Sequence, residues 1–330
     1  MAESWLQTAL EETSGFYGFQ VDKLIKLGGG FENKMYGFDD PDKRIVVRVT
    51  PPGHKTWAEV NAEMDWLAYL SEHDAPVIQV VRSRNDSLVE TVDTDEGGIF
   101  VVCFEWAPGR IVTKEDFSPE LFQTWGEAVG LMHRLTKDYR PKSSHRIQWY
   151  DDEYLDRSLI PSGQEKVLER FDSLIEYFKN QQTNLNKFGL IHQDVHQDNL
   201  FLDGLKLTVL DFDDCVYGFF VFDIANALGF SIWEKPGSMT NREFANFYLK
   251  HFMEGYERKN QLEESWMEDL PRALKLFEFI HYNAFNMDHD LAGKGSYDAL
   301  NEGTKQILTK YRKSIEEDLP YIENTFCPYR

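Results

Sequence analysis

The stretch LIHQDVHQDNLFLDGLKLTVLDFDD, residues 190–214, decides the fold of this chain. An apolar pair leads into a polar loop that contains Asp194 and, five positions later, Asn199. Two short apolar runs follow, separated by Asp203-Gly204, a strong signal for a two-residue hairpin turn. The second run ends at Asp211, so the hairpin is expected to bring Asp194, Asn199 and Asp211 together at one rim.

These residue types in this order are typical of phosphoryl transfer. The reaction needs a carboxylate to accept the hydrogen bond of the nucleophile, and an amide oxygen with a second carboxylate to hold Mg²⁺. Kinases place Asp and Asn five apart in a catalytic loop and a metal-binding Asp at the end of a later strand. The stretch therefore predicts a kinase active site, with Asp194 as the catalytic residue and Asn199 and Asp211 as metal ligands.

Two other interpretations of this stretch have to be weighed. The Asp-Gly hairpin with its flanking acids could be a surface turn. His192 and His196, four apart, could suggest a zinc hydrolase, but no H-E-x-x-H pattern or cysteine partner accompanies them. We therefore favour the kinase interpretation and expect His192 to be a buried residue that holds the loop by hydrogen bonds.

The loop resembles that of the aminoglycoside phosphotransferase, choline kinase and type II homoserine kinase superfamily, which commonly reads H-G-D-x-H-P-x-N. Four residues match: His192, Asp194, His196 and Asn199. Gln193 and Gln197 replace the usual Gly and Pro, and Asp198 adds a carboxylate. The resemblance implies a bilobal protein kinase-like fold that uses ATP and Mg²⁺.

A second aspartate belongs to the same resemblance. In this superfamily an Asp placed like Asp223 braces the backbone of the catalytic loop, and Asp223 is also an ordinary helix-capping residue. The interval between Asp211 and Asp223 is too short for the long activation segment of a protein kinase. This favours a small-molecule substrate over a docked peptide.

The composition excludes some classes of partner. Lys and Arg number 35 against 56 Asp and Glu, a net charge of −21, so nucleic acid is disfavoured and a cationic small molecule is compatible. No apolar run approaches the roughly 18 residues of a membrane span, and the acidic start lacks a secretory signal. Three widely spaced cysteines favour a reduced, cytoplasmic protein. The sequence does not indicate an oligomeric state.

The residue patterns predict both strands and helices, and thus an α+β chain. Its 330 residues exceed the size of most single hydrophobic cores, so we expect two lobes. We place an N-terminal nucleotide-binding lobe at 1–105 and a larger, mainly helical catalytic lobe at 106–330, with a hinge at about 104–110. The first lobe should contain a helix at about 4–13, antiparallel strands and one further helix. We also expect strands at 77–81 and 87–92 to pair with each other.

The first lobe contains the predicted nucleotide-binding residues. The glycines Gly28, Gly29 and Gly30 would let backbone amides approach phosphates. The pair Glu32-Asn33 resembles the corresponding loop of the homoserine kinase-like and stress-response kinase branch, so Asn33 is also a predicted nucleotide-binding residue.

Arg48 matches the position of the strand lysine that binds the α/β-phosphates in kinases, and its alternative is a surface residue on an edge strand. Glu63 is its expected partner by resemblance, with Glu59 as the alternative. In the family the hinge backbone binds adenine, here Glu105 and Ala107.

The acceptor is less well specified. Within the segment FEFIHYNAFNMDHD, acids and aromatics could bind an ammonium group by charge and cation–π contact. The substrate candidates are Asp213, Glu278, Tyr282 and Asp288. The simpler alternative is that the aromatics are core and the acids are solvated.

Three functions stay open at this point. The first is a small-molecule kinase acting on an amino alcohol, an aminoglycoside, or a homoserine-like or sugar-like alcohol. The second is a protein Ser/Thr kinase of the stress-response type. The third is a nucleotide-binding protein with weak catalysis, which the unusual Arg48 and Asp198 would favour.

Overall fold

The structure is a computed structural model that describes residues 4–28, 33–142 and 146–322. In this part of the chain it contains both helices and antiparallel strands, which confirms the predicted α+β class. The helices are α1 Ser4–Tyr17, α2 Trp57–Glu72, α3 Pro119–Thr136, α4 Glu165–Lys179, α5 Phe220–Glu234, α6 Asn241–Tyr256, α7 Trp266–Asp288 and α8 Glu302–Glu316. The strands are β1 Ile25–Lys26, β2 Lys34–Asp40, β3 Lys43–Thr50, β4 Val80–Val81, β5 Glu90–Thr94, β6 Gly97–Glu105, β7 Arg110–Ile111, β8 Phe188–Ile191, β9 Leu200–Asp203, β10 Lys206–Val209 and β11 Val216–Phe219.

The chain divides into two compact units. The first comprises Met1–Ile111, Asp138–Arg146 and Leu200–Asp213, and the second comprises Val112–Lys137, Ile147–Asn199 and Asp214–Arg330. Two later segments therefore join the N-terminal part in the first unit. No helix within the described ranges is long and apolar enough to cross a membrane.

The first unit is built on an antiparallel sheet in which β3 lies between β2 and β6. Ile45, Val47 and Val49 point to one face, where they form a core with residues of α1. Because side chains alternate along a strand, Arg48 and Thr50 point to the other face, where both are also buried. The central strand thus presents one apolar and one polar buried face.

One predicted strand pair is wrong. Strands β4 and β5 do not pair with each other, since each pairs antiparallel with β6. β6 is nine residues long, so its first half can pair with β5 and its last residues with β4. The alternation of apolar and polar residues predicts that such strands exist, but it does not predict the strand with which each one pairs.

The predicted hairpin of β9 and β10 is confirmed, with Asp203 opposite Lys206. The two turn residues are Gly204 and Leu205, one position later than predicted. Gly204 has a φ of +63°, which glycine adopts without steric cost. β9 also pairs with β7, and no Cβ fits at Gly109 because it would lie 2.2 Å from the carbonyl oxygen of Leu202.

The second unit is mainly helical, with β8 and β11 as an antiparallel pair. Helices α3 and α6 approach each other closely through glycines. A Cβ at Gly126 would lie 1.9 Å from the carbonyl oxygen of Phe252, and one at Gly255 would lie 1.8 Å from that of Gln123. These distances are far below van der Waals contact, so the packing of the two helices requires glycine at both positions.

We predict that Gly126→Ala lowers the free energy of unfolding by about 1–3 kcal/mol or more, because the two helices must separate to admit the methyl group. Gly15→Ala is the control: Gly15 is exposed in α1 and nothing lies within 4 Å of its added Cβ. That substitution should raise stability by about 0.5–1 kcal/mol through helix propensity. Urea unfolding measures both. Equal effects of the two substitutions would contradict the described packing.

Candidate active site

The catalytic loop, residues 192–199, follows β8 and contains the predicted Asp–Asn pair. The side-chain Nδ2 of Asn199 donates to Oδ2 of Asp194 at 2.8 Å and to its backbone oxygen at 2.9 Å. Nε2 of His196 lies 3.2 Å from the same Oδ2. The spacing of five thus brings the acid and the amide into direct contact within the loop.

Asp194 is held in its ionised form. Burial alone would raise its pKa, but the hydrogen bond and charge of His196, the charge of His192 and the hydrogen bond of Asn199 together lower the pKa below its usual value. A carboxylate that stays ionised can accept a hydrogen bond from an alcohol. This is the property that a phosphoryl-transfer base requires.

The predicted metal ligands have suitable chemistry. Both hydrogen bonds from the side chain of Asn199 to Asp194 use Nδ2, so its oxygen Oδ1 can serve as a ligand. Asp211 is exposed and lies two residues beyond β10 with a φ of +57°. An amide oxygen and a carboxylate suit a hard divalent cation.

Asp223, in the first turn of α5, contacts the backbone of the catalytic loop. Its carboxylate accepts hydrogen bonds from the backbone amides of His192 at 3.0 Å and Gln193 at 2.7 Å. It also lies 2.9 Å from Nε2 of His133, and both side chains are fully buried. His192 is buried as well, and its Nδ1 accepts a hydrogen bond from the backbone amide of Asp194 at 3.3 Å.

Gln193 has an unusual backbone conformation. Its φ is +73°, in the left-handed region that favours glycine, and glycine is the residue that the resembling motif has there. Its Oε1 is buried and has no hydrogen-bond partner among the described residues. A strained residue with an unpaired acceptor is costly for the fold, so its side chain is a candidate for contact with a ligand.

A cavity of about 250 Å³ lies beside Asp194 in the second unit. Its lining includes the carboxylates of Asp152, Asp194 and Asp214, and no Lys or Arg is among the described residues that line it. The polar and titratable lining residues are Asp152, Tyr154, Gln193, Asp194, Asp214, Asn226 and His281. Asp152, Tyr154 and Asn226 come from separate segments without a local motif and were not predicted. Asp214 directly follows the predicted acids at the strand end, and His281 lies within the segment FEFIHYNAFNMDHD that was predicted to bind the acceptor.

His281 adds a further acceptor to this lining. Burial lowers its pKa, which favours the neutral form of the ring. Its Nδ1 lies 2.8 Å from the carbonyl oxygen of Phe277 and therefore carries the proton, which leaves Nε2 with a lone pair.

Arg48 and Glu63 form a buried, bidentate ion pair in the first unit. The two nitrogen–oxygen distances are 2.7 and 2.6 Å. Glu59, the alternative partner, instead caps α2: its Oε2 accepts a hydrogen bond from the backbone amide of Thr56 at 2.8 Å. Only 4% of the Arg48 side chain is exposed, so its pairing with Glu63 leaves little of the guanidinium accessible.

Asp213 lies among cations rather than beside a substrate cavity. Nζ of Lys55 is 2.9 Å from its carboxylate, Nη1 of Arg48 is 4.0 Å away, and Arg146 donates to its backbone oxygen at 2.6 Å. Nδ2 of Asn33 donates to the same carboxylate at 2.9 Å. Burial alone would raise the pKa of Asp213, but the charges of these cations hold it well below its usual value.

The other predicted substrate residues also lie away from the cavity. Glu278 is buried and pairs with Lys275. The hydroxyl of Tyr282 donates to Oε1 of Gln164 at 2.5 Å, and Asp288 is exposed at the end of α7. None of these, nor Asp213, lines the cavity beside Asp194 within the part of the chain that the structure describes.

The remaining nucleotide-site predictions are only partly described. Gly28 is exposed, whereas Gly29 and Gly30 lie outside the described residues. Glu105 ends β6 with an exposed side chain, and Ala107 is buried just beyond it. The adenine contacts of their backbone stay a prediction.

We predict that Asp213→Asn destabilises the protein by about 3 kcal/mol at pH 7, because it removes the anion shared by buried cations. The folded state lowers the pKa of Asp213, so its stabilising charge is present above the unfolded value of about 4 and is lost as the pH falls. The variant should therefore show a shallower loss of stability between about pH 5 and 2. Unfolding at stepped pH measures this slope, with the exposed Asp288→Asn as control. Parallel slopes for the wild type and Asp213→Asn would contradict the assignment.

Comparison with known proteins agrees with this geometry. A family model described as the phosphotransferase enzyme family matches residues 23–273. Amicoumacin kinase of Bacillus subtilis (strain 168) is 30% identical over 319 residues, which cover 95% of this chain and 93% of that protein. A solved structure of the amicoumacin kinase hAmiN in complex with AMP-PNP, Ca²⁺ and Ami has a TM-score of 0.89 at 30% identity, covering 98% of this chain and 95% of that one.

A microcompartment-associated aminopropanol kinase shares the fold, with a TM-score of 0.73 at 22% identity over 94% of this chain and 95% of that chain. Together these similarities confirm the protein kinase-like fold, the resemblance to the aminoglycoside phosphotransferase superfamily and the predicted reaction class. That class is ATP-dependent transfer of a phosphoryl group to a small-molecule hydroxyl, with a divalent metal ion. The chain belongs to the phosphotransferase enzyme family.

Proposed function

We propose that this chain phosphorylates a hydroxyl of a small molecule that carries an amino group, with Mg²⁺-ATP as the phosphoryl donor. The observation that carries this proposal is the cavity beside Asp194, with the three carboxylates of Asp152, Asp194 and Asp214 in its lining and no Lys or Arg among its described lining residues. A protonated amine is favoured in such a site by charge, and the aromatic rings of Phe230 and Phe277 can contact its apolar part.

Amicoumacin is the first acceptor to test, since the amicoumacin kinase of Bacillus subtilis aligns over nearly the full length of both chains. An amino alcohol is the second. A screen of both classes for ATP consumption also distinguishes the two alternative functions. Phosphate transferred only to the protein itself would indicate a protein kinase. ATP binding without turnover would indicate a nucleotide-binding protein with weak catalysis. A cytoplasmic location is part of the proposal, in keeping with the free, buried thiols of Cys103 and Cys215.

The reaction needs little covalent chemistry from the protein. ATP would supply the γ-phosphoryl group, and a bound Mg²⁺ would offset the negative charge of the phosphate oxygen atoms. Asp194 would orient the acceptor hydroxyl and take its proton, while Asn199 and Asp211 would hold the metal ion. His196 and Asn199 keep Asp194 ionised, and Asp223 holds the loop that carries it. Positioning and charge stabilisation would therefore supply most of the rate enhancement.

The nucleotide phosphates would meet the Gly28–Gly30 loop and the cations of the first unit. Arg48 and Glu63 would also belong to this site, where their ion pair would determine the charge and shape of the surface beneath the phosphates. We add Lys55, whose side chain is 13% exposed against 4% for Arg48, and which is thus the more accessible of the two cations. Sequence reasoning did not select Lys55 because it precedes α2 in a loop without a motif.

We predict that Asp194→Asn lowers kcat by at least about a thousandfold, since the amide cannot accept the hydroxyl proton. Asp198→Asn, the same substitution in the same loop, is the control. The Asp198 side chain is 69% exposed and lies 3.6 Å from His196, so its loss should change kcat only a few-fold. Steady-state assays with an acceptor that the wild-type protein phosphorylates measure kcat for both variants. Comparable kcat values for Asp194→Asn and the wild type would overturn the catalytic assignment.

A second prediction concerns the strained Gln193. Gln193→Gly relieves the left-handed backbone, so the melting temperature should stay equal or rise. The same change removes an acceptor from the cavity lining, so the KM for the acceptor should rise about tenfold or more while the KM for ATP stays constant. A lower melting temperature with an unchanged acceptor KM would show that the side chain serves the fold instead.

A further inference from the structure

A network of hydrogen-bonded side chains runs from the half-buried Lys137 to Asp223 within the second unit. Nζ of Lys137, just after α3, donates to Oδ1 of Asn260 at 2.6 Å, and Nδ2 of Asn260 donates to the Tyr256 hydroxyl at 2.8 Å. That hydroxyl lies 2.8 Å from Nδ1 of His133, whose Nε2 lies 2.9 Å from Oδ2 of Asp223. All members of this network after Lys137 are buried.

The ammonium group of Lys137 fixes the direction of every hydrogen bond in the network. An ammonium can only donate, so Asn260 must turn its oxygen toward Lys137 and its NH₂ group toward Tyr256. The Tyr256 oxygen accepts that bond, and its own proton therefore points to Nδ1 of His133. Burial and the charge of Asp223 raise the pKa of Tyr256, so this proton stays on the hydroxyl.

His133 is consequently a neutral imidazole with its proton on Nε2. Since Nδ1 accepts from Tyr256, Nε2 is the nitrogen that donates, and its acceptor is the Asp223 carboxylate. The ring of Phe220 stacks on the imidazole with the centroids 4.4 Å apart, which fixes the plane of the ring between its two partners. Each polar side-chain atom of His133, Tyr256 and Asn260 is paired, and a fully paired buried network is rigid.

The direction of the network matters because its last member also holds the catalytic loop. Oδ2 of Asp223 accepts from His133 and from the backbone amide of His192, and Oδ1 accepts from the backbone amide of Gln193. A lone pair at Nε2 would face Oδ2 with a second acceptor, and the carboxylate would turn away. The N–H at Nε2 instead keeps both oxygen atoms aligned with the two loop amides.

We propose that Lys137 and Tyr256 are positioning residues for phosphoryl transfer. Together they keep His133 as a donor to Asp223, and Asp223 holds the loop that carries Asp194. Neither Lys137 nor Tyr256 is among the described residues that line the cavity beside Asp194, so both act through the carboxylate. This inference rests on the proposed role of Asp194, but not on the identity of the acceptor.

Nitrogen-15 NMR of the His133 ring tests the direction of the network in the wild-type protein. At neutral pH we expect a protonated Nε2 and an unprotonated Nδ1. A proton on Nδ1, or protons on both nitrogens, would overturn the proposal. The measurement needs no acceptor, so it separates a failure of this network from a failure of the proposed function.

Substitution of Lys137 tests the group that sets the direction. Lys137→Met keeps the apolar part of the side chain and removes the donor, so Asn260 can turn its amide and accept the Tyr256 proton. The His133 signals should then shift, and hydrogen–deuterium exchange at the Gln193 amide should accelerate about fivefold. With an acceptor that the wild-type protein phosphorylates, kcat should fall about fivefold while both KM values stay constant.

Lys137→Arg is the rescue variant, because a guanidinium also can only donate. It should restore the His133 signals, the exchange rate and kcat. Unchanged His133 signals and exchange in Lys137→Met, or an Arg variant that behaves like the Met variant, would refute the role of Lys137.

Tyr256→Phe removes the hydroxyl that pairs with His133, so exchange at the Gln193 amide should accelerate about tenfold. Tyr248→Phe is the matched control, since Tyr248 is another fully buried tyrosine, about two turns earlier in α6 and outside the network. Loss of a buried hydroxyl can lower the melting temperature of both variants, but only Tyr256→Phe should change loop exchange and the His133 signals. Equal exchange at Gln193 in the two variants would contradict the role of Tyr256.

Discussion

The catalytic loop depends on one buried carboxylate. Asp223 lies in the first turn of α5, where the helix dipole favours negative charge. Its carboxylate accepts hydrogen bonds from the backbone amides of His192 and Gln193. His133 lies beside the same carboxylate, and its Nδ1 lies 2.8 Å from the hydroxyl of Tyr256. The backbone after β8 and a histidine of α3 thus meet at one carboxylate of α5, and α6 supports that histidine through Tyr256.

This arrangement explains how the loop tolerates its departures from the usual motif. Glycine would adopt the left-handed conformation freely, whereas Gln193 adopts it at a cost of about 1 kcal/mol or more. Hydrogen bonds to a buried carboxylate are worth about 1.5–3 kcal/mol each, so the bond from the Gln193 amide can offset that strain. The energetic cost of the strained backbone at Gln193 is then compatible with a role of its side chain in lining the acceptor cavity.

The charges of the chain are also unevenly placed. The net charge is −21, yet Arg48, Lys55 and Arg146 gather around Asp213 in the first unit. The lining of the cavity beside Asp194 contains three carboxylates and no Lys or Arg among its described residues. A cationic cluster suits an anionic nucleotide, and an acidic cavity suits a cationic acceptor. The net charge of the whole chain does not show these local differences, which support the proposed partners.

Much of this could be predicted from the sequence where the deciding contacts are local. Asp194 and Asn199 touch within one loop, and the strand-then-helix order pointed to Arg48 and Glu63, which the structure pairs. The hairpin was predicted because its turn chemistry is local too.

The rest depends on contacts between distant segments. Asp152, Tyr154 and Asn226 share a cavity lining but no motif, so no pattern could select them. Asp213 was predicted to bind the substrate because the sequence shows that this residue is an acid, but it does not show which cations surround it in the fold. The pairing of β4 and β5 was wrong for the same reason, since the edge of β6 that receives both is a tertiary choice.

Hydrogen–deuterium exchange of the catalytic loop in the wild type and in Asp223→Asn tests the central claim most directly. An amide side chain offers one acceptor oxygen in place of two, so at least one of the two loop amides loses its partner. The account predicts that exchange at His192 and Gln193 accelerates about tenfold or more, while exchange in α8 stays the same. Unchanged protection of these two amides would show that Asp223 does not hold the loop, and would contradict the account.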